Sequence, residues 1–201
     1  LAGGNGAASR GQGRGELPAA DVKPIPNRLY YPAVHEALLR AKKSVDVVQR
    51  NIKLSSMAPG GNGRALPGEP AGAVDVLVHD LVAAARRGVR VRVVLDHTES
   101  MEDAENARTA AWLRARGVEV FQEDPQTQTH AKLLVIDDEK VVLGSTNWTA
   151  PAVEQGNEAS VLITSPQVAA VYKSFVNDLI RKGGPYQAQA PSIWKSASDG
   201  P

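Results

Sequence analysis

HAKLLVIDDEKVVLGSTN, residues 130–147, sets a histidine, a lysine, a serine and an asparagine at the two ends of an apolar hairpin. Residues 133–136 and 141–143 are β-branched and leucine runs of strand length. Asp138 and Glu139 between them are polar enough for a tight turn, although Asp-Glu is a weaker turn signal than Asn-Gly. If Asp137 pairs with Lys140 across that turn, counting outward sets Lys132 opposite Ser145 and His130 opposite Asn147. Side chains alternate along a strand, so His130 and Lys132 share a side on which Ser145 and Asn147 can join them. Asp137 has the opposite parity and lies about 20 Å from His130 along an extended strand. It is expected to fix the hairpin by hydrogen bonding, not to touch the histidine.

The same residues spell H-x-K-x4-D followed by G-S-x-N, as His130, Lys132, Asp137, Gly144, Ser145 and Asn147. On this motif the chain resembles the phospholipase D superfamily, and its length and single motif resemble the small bacterial nucleases of that superfamily. The likeness runs from about residue 30 to residue 182, and a glycine- and proline-rich insertion near residues 55–72 departs from it. The resemblance implies an α/β fold, a mixed β-sheet flanked by helices on both faces, with one motif per chain. It implies that His130 is a nucleophile forming a phosphohistidine, and that Lys132 and Asn147, with Ser145, bind the non-bridging oxygens whose charge grows in the transition state. Glu158 matches the family's downstream carboxylate, which would fix the histidine tautomer; Asp137 and Gly144 are structural members of the motif.

A single motif also looks like half of a two-motif protein. A symmetric homodimer would bring two copies of His130 together, one attacking phosphorus while its mate protonates the leaving group. Lysines and amides take the place of a cation in this scheme, so neither a metal nor another cofactor is expected.

A chain of 201 residues suits one domain with a real core, and 42% hydrophobic against 4% aromatic residues means a core of Val, Leu, Ile and Ala. The formal charge of +1 places any nucleic-acid binding on a local patch. With no cysteine, disulfides, thiolate metal sites and cysteine nucleophiles are excluded, and four scattered histidines argue against zinc. No apolar run approaches the roughly 20 residues of a spanning helix, so no stable membrane insertion is expected. Leu1 in place of methionine fits a processed or trimmed start, as removal of an export signal or a cloning boundary would each leave. A secreted or periplasmic location is the expectation, with a cytoplasmic one as the alternative.

Along the chain, residues 1–22 read as a flexible leader, 23–183 as the catalytic domain and 184–201 as a tail. A helix over 32–43 precedes a strand over 44–52, beginning an α/β rhythm. The long segment 53–73 is read either as disordered or as a substrate-facing lid, with Arg64 its only charge suited to a phosphate. Val74, Leu77, Val78, Leu81, Val82 and Ala85 form a helical stripe closed by Gly88. The strand over 89–95 carries Arg90 and Arg92 on one face, either along a phosphate path or, more commonly, in an ion pair or a solvated face. Asp96 and His97 follow at its C-terminal end, where α/β sheets place ligands. A helix over 104–116 and a strand over 118–121 lead to a polar loop that delivers His130.

Trp148 either walls the pocket, where it could stack on a base, or packs. A further strand over 157–163 follows. Ser165 caps a last helix with Pro166 at its first position and Val168, Val171, Phe175, Leu179 and Ile180 as its buried stripe. Trp148, Arg64 and His97 are the candidate substrate-binding residues beside the catalytic set.

The function expected is a metal-independent phosphodiesterase, an endonuclease cleaving DNA, RNA or both through a phosphohistidine at a homodimer-shared site. A phospholipase D-type lipid hydrolase or phosphatidyl transferase, acting on a phospholipid, is the alternative; a nucleic-acid-binding module without turnover is disfavoured by the intact His130 and Lys132.

Overall fold

The computed structural model describes residues 20–54, 72–96, 101–124 and 126–187. Its strands are β1 (Asp21–Pro24), β2 (Ser44–Gln49), β3 (Arg90–Leu95), β4 (Glu119–Gln122), β5 (Lys132–Ile136), β6 (Lys140–Gly144) and β7 (Ser160–Thr164). Its α-helices are α1 (Tyr30–Arg40), α2 (Ala73–Arg86), α3 (Met101–Arg114) and α4 (Pro166–Gly183). The strands form one sheet in the order β1-β7-β6-β5-β2-β3-β4. β2, β3 and β4 run parallel, whereas β5, β6, β7 and β1 are each antiparallel to their neighbours.

Alternation along the central strands feeds two cores. Val45, Val47, Leu134 and Val142 pack with Leu38, Leu77 and Leu81 of α1 and α2 on one face. Val48, Val94, Leu133 and Val135 meet Ala169 and Val176 of α4 on the other. This is the expected α/β arrangement, a mixed sheet with helices on both faces. Under α4, Arg92 makes a two-pronged ion pair with the buried Asp46, at 2.7 and 2.8 Å, and reaches Asn177 at 2.9 Å. Arg92 is therefore a helix-covered ion pair and does not line a phosphate path. No helix among the described residues is long and apolar enough to cross a membrane.

Three expectations change. The hairpin closes one residue away from the expected register: Ile136 pairs with Lys140 and Leu133 with Leu143, which carries Lys132 to the level of Gly144 and not Ser145. Asp137 and Asp138 both take positive φ, 57° and 60°, and Glu139 N–H donates to Ile136 O at 3.1 Å. Aspartate tolerates that conformation, so the turn takes in Asp137 and leaves Lys140 to pair with Ile136. The sheet also reaches beyond the expected 23–183 domain on both sides. Asp21 and Val22 pair with β7, and beyond Gly183 the buried Tyr186 donates its N–H to Val120 O at 3.0 Å. Finally, the stripe of α4 is rotated: Val171 and Phe175 are exposed, while Ala169 and Val176 are buried.

Asp137 does the bracing expected of it. Its carboxylate accepts the backbone N–H groups of Lys42 (3.0 Å), Lys43 (2.7 Å) and Ser44 (3.1 Å), tying the hairpin to the start of β2. Burial pushes this carboxyl up, but the donors at Lys43, Ser44 and Lys42 together outweigh it and hold it below the usual carboxylate range. A folded pKa below the unfolded one stabilises the protein above the ordinary aspartate value, and that contribution disappears as pH falls through the depressed folded value. Asp137→Ala is expected to cost about 1–2 kcal/mol at pH 7, given the site's partial exposure. In thermal melts the gap to wild type should narrow as pH falls below the ordinary aspartate value. A pH-independent gap would mean that the charge is not what braces the turn.

Candidate active site

The C-terminal ends of β2 and β3 and the approach to β5 meet at one end of the sheet, where strand direction changes between β2 and β5. Asn106 of α3 stitches this end together. Its Nδ2 donates to Arg50 O (2.8 Å) and Asp96 O (3.0 Å), and its Oδ1 accepts Ile52 N–H (3.1 Å). Asp96, itself buried, accepts the N–H of Thr129 at 3.3 Å and so grips the backbone that delivers His130. Sequence reasoning missed Asn106. The available signal was Asn106, Thr109 and Leu113 at helical spacing, polar residues inside a buried stripe.

His130 is exposed, and Lys132 is 5% exposed. The Lys132 Nζ donates to His130 O at 2.7 Å and stands 3.2 Å from His130 Nδ1. An ammonium can only donate, so the second contact belongs to the tautomer with Nδ1 unprotonated and the proton on Nε2. Attack through Nε2 requires the other tautomer, with an acceptor at Nδ1, and a ring that protonates a leaving group must be the imidazolium, with both nitrogens protonated.

Glu158 stands elsewhere than the resemblance implied. Its carboxylate takes the hydroxyl of Ser145 and holds no described hydrogen bond to His130. Ser145 Oγ also accepts Ala159 N–H at 3.0 Å, and Ser145 N–H donates to Ala159 O at 3.0 Å, so this serine fastens the end of β6 to the start of β7. Gly144 permits that contact: a Cβ there would lie 2.1 Å from Ser160 Oγ and 2.4 Å from Ala159 O.

Asn147 is partly buried, and its Oδ1 has no partner among the described residues. Trp148, next along, is 0% exposed; it donates Nε1–H to Tyr30 OH at 2.9 Å and bridges to Ile52. Burial pushes the Tyr30 phenol well above its usual range, so its hydroxyl stays neutral and serves as the acceptor. The expectation that Trp148 walls the pocket or stacks on a base is thereby corrected: its ring is core and presents no face to a substrate. Arg64 and His97 lie outside the described residues. Two buried polar residues at this end, Gln49 and Glu123, were not singled out by the sequence, where they read as a strand end and a loop.

The chain matches the family described as Cardiolipin synthase, PLD-like domain, over residues 34–180. It is 39% identical over 79 residues to the human mitochondrial cardiolipin hydrolase, covering 39% of this chain and 30% of that protein. To the Xenopus tropicalis mitochondrial cardiolipin hydrolase it is 32% identical over 131 residues, covering 65% of this chain and 51% of that protein. The Rickettsia conorii phospholipase D is 29% identical over 92 residues, covering 46% and 44%. The chain thus spans about half or less of the curated relatives it matches.

Among solved structures, Nuc from Salmonella typhimurium, a phospholipase D family member, superposes with a TM-score of 0.65 at 20% identity, covering 85% of this chain and 99% of that one. NucT from Helicobacter pylori superposes with a TM-score of 0.61 at 13% identity, covering 84% and 100%. At such identities the likeness speaks to fold alone. The family match over most of the chain, carried by a sheet that sets His130 and Lys132 side by side, makes this protein a member of the phospholipase D superfamily.

Proposed function

We propose that the chain is a metal-independent phosphodiesterase that cleaves DNA or RNA through a phosphohistidine on His130, at a site shared by two copies of the chain. The observation that carries this reading is the buried Lys132 ammonium beside the exposed imidazole of His130. A cation there attracts a phosphoryl oxygen to hydrogen-bonding distance of the ring, in a setting where little water screens it.

In the first step the Nε2 lone pair of one His130 forms a bond to phosphorus, and the bond from phosphorus to the leaving oxygen breaks. The leaving oxygen takes the Nε2 proton of the second His130, which enters the step as the imidazolium and leaves it neutral. Water, deprotonated by that second histidine, then attacks the phosphohistidine and restores both rings. Lys132 and Asn147 serve the non-bridging oxygens throughout. Ser145 and Glu158 hold the floor between β6 and β7 on which Asn147 stands, and the proposed tautomer-fixing role of Glu158 would require its carboxylate to leave Ser145.

The single H-x-K motif, in which the chain resembles the small nucleases of the superfamily, supports a nucleic-acid diester. A phospholipid diester is the second reading, favoured by the mitochondrial cardiolipin hydrolases and the phospholipase D among the relatives. The two separate when the protein is incubated with single- and double-stranded DNA, RNA, and cardiolipin-containing vesicles, each with excess chelator. Cleavage of at least one nucleic acid is the expected result, undiminished by the chelator. Turnover of lipid alone would transfer the proposal to the second reading, and activity abolished by chelator would refute the metal-independent scheme.

A further inference from the structure

Gln49 ends β2 directly opposite Lys132 of β5, and opposed residues of an antiparallel pair send their side chains to the same face. Deeper on that face the same two strands place Val47 opposite Leu134, both in the core. Gln49 is 0% exposed, and neither its Oε1 nor its Nε2 has a hydrogen-bond partner among the described residues. A leucine or methionine would fill such a place without a penalty, whereas a buried amide left unmet at both ends destabilises the fold. Two further buried amide oxygens without partners, Asn51 Oδ1 and Asn147 Oδ1, occur at the same end of the sheet. There the Ile52–Trp148 bridge sets residues 51 and 147 side by side. Gln49, Asn51 and Asn147 thus share the end of the sheet where Lys132 lies, whereas His79 Nε2 and Trp112 Nε1, also without hydrogen-bond partners among the described residues, belong to the neighbouring rings of α2 and α3.

We propose that Gln49, which lies outside the H-x-K motif, is a further phosphoryl-binding residue. Its Nε2 donates to a non-bridging oxygen of the diester held by Lys132, and its Oε1 takes a hydroxyl or water that enters with the substrate. The inference rests on the phosphodiesterase reading and deepens it: the site binds the phosphate from two strands, β5 through Lys132 and β2 through Gln49. The amide is unsatisfied in the unliganded chain because its partner is the substrate.

The test uses the full chain with Gln49→Met, which keeps the shape and removes the amide, and Gln49→Glu, which keeps the shape and adds a negative charge. Two readouts are taken, hydrolysis of bis(p-nitrophenyl) phosphate and inorganic phosphate binding followed by 31P NMR. The Met variant should melt at or above the wild-type temperature while kcat falls at least about 10-fold and the phosphate Kd rises by a similar factor. The Glu variant should bind phosphate more weakly still. Wild-type kcat and phosphate Kd in the Met variant would overturn the proposal, as would a wild-type protein that binds no phosphate. Should the Met variant not fold, unimpaired phosphate binding by the Glu variant would overturn it equally. A wild-type protein inert toward every phosphodiester, yet losing phosphate affinity on Gln49→Met, would refute the phosphodiesterase reading and leave Gln49 as an anion ligand.

Discussion

His130→Ala should abolish phosphodiester cleavage, with kcat falling about 1000-fold or more, because the substitution removes both the attacking nitrogen and, in the second copy, the proton donor. His130 is exposed and its ring makes no described contact with the core. Its removal should leave the thermal midpoint within about 2 °C of wild type, as expected for a surface site. Loss of activity without loss of stability is what distinguishes a nucleophile from a structural residue. Wild-type enzyme quenched in acid during turnover should carry a phosphorylated or nucleotidylated fragment containing His130, seen by mass spectrometry, and the variant should carry none. Mixing equal amounts of the two chains under conditions that exchange protomers tests the shared site. If a site needs both rings, only about a quarter of the randomly formed dimers are intact; if each ring works alone, about half of the activity survives. A His130→Ala protein retaining more than a tenth of wild-type activity would refute the covalent scheme outright.

The parts of this site that were legible in the sequence are those carried by spacing. Strand-length apolar runs on either side of residues 137–139 read as a hairpin despite the weak Asp-Glu turn signal, and the α/β rhythm followed from stripes such as Val74, Leu77, Val78 and Leu81, all of them buried. What escaped depended on partners far along the chain. The hairpin register turns on Asp137, whose acceptor oxygens are claimed by N–H groups more than 90 residues earlier, so counting from the turn alone assigned it to the strand. β1 was missed because its four residues are all exposed and include Pro24; it is a strand only because β7 offers an edge. In α4, hydrophobicity favoured Val171 and Phe175, which are 60% and 40% exposed, over Ala169, which is 0% exposed. A small residue at the contact lets a helix approach the sheet closely, and helical periodicity cannot reveal that preference. Asn106 and Gln49 escaped for a related reason, since a buried polar residue declares itself only once the strand ends it serves are brought together.

Trp148 is where the architecture and the site depend on one side chain, and Trp148→Ala should produce the largest loss of stability of any substitution discussed, about 3–5 kcal/mol by urea denaturation. The indole is 0% exposed, Ile52 pairs with its backbone, and Lys53 N–H donates to its carbonyl at 2.8 Å. Its Nε1–H is held by Tyr30 OH at 2.9 Å. Truncation therefore leaves a cavity between α1 and the exits of β2 and β6 and strips a buried hydroxyl of its donor. The two contributions separate by substitution. Trp148→Phe keeps most of the apolar volume and should cost less than the alanine change, while Tyr30→Phe removes only the acceptor and should cost about 1–2 kcal/mol. Because both remove the same hydrogen bond, the double variant should be less destabilised than the sum of the singles. Activity is expected to follow, since Asn147 precedes this anchor by one residue and loses its fixed position when the ring goes; kcat of Trp148→Phe should fall more than that of Tyr30→Phe. A Trp148→Ala protein within about 1 kcal/mol of wild type would mean the ring is free of the core, and would restore the substrate-facing role that its burial rules out.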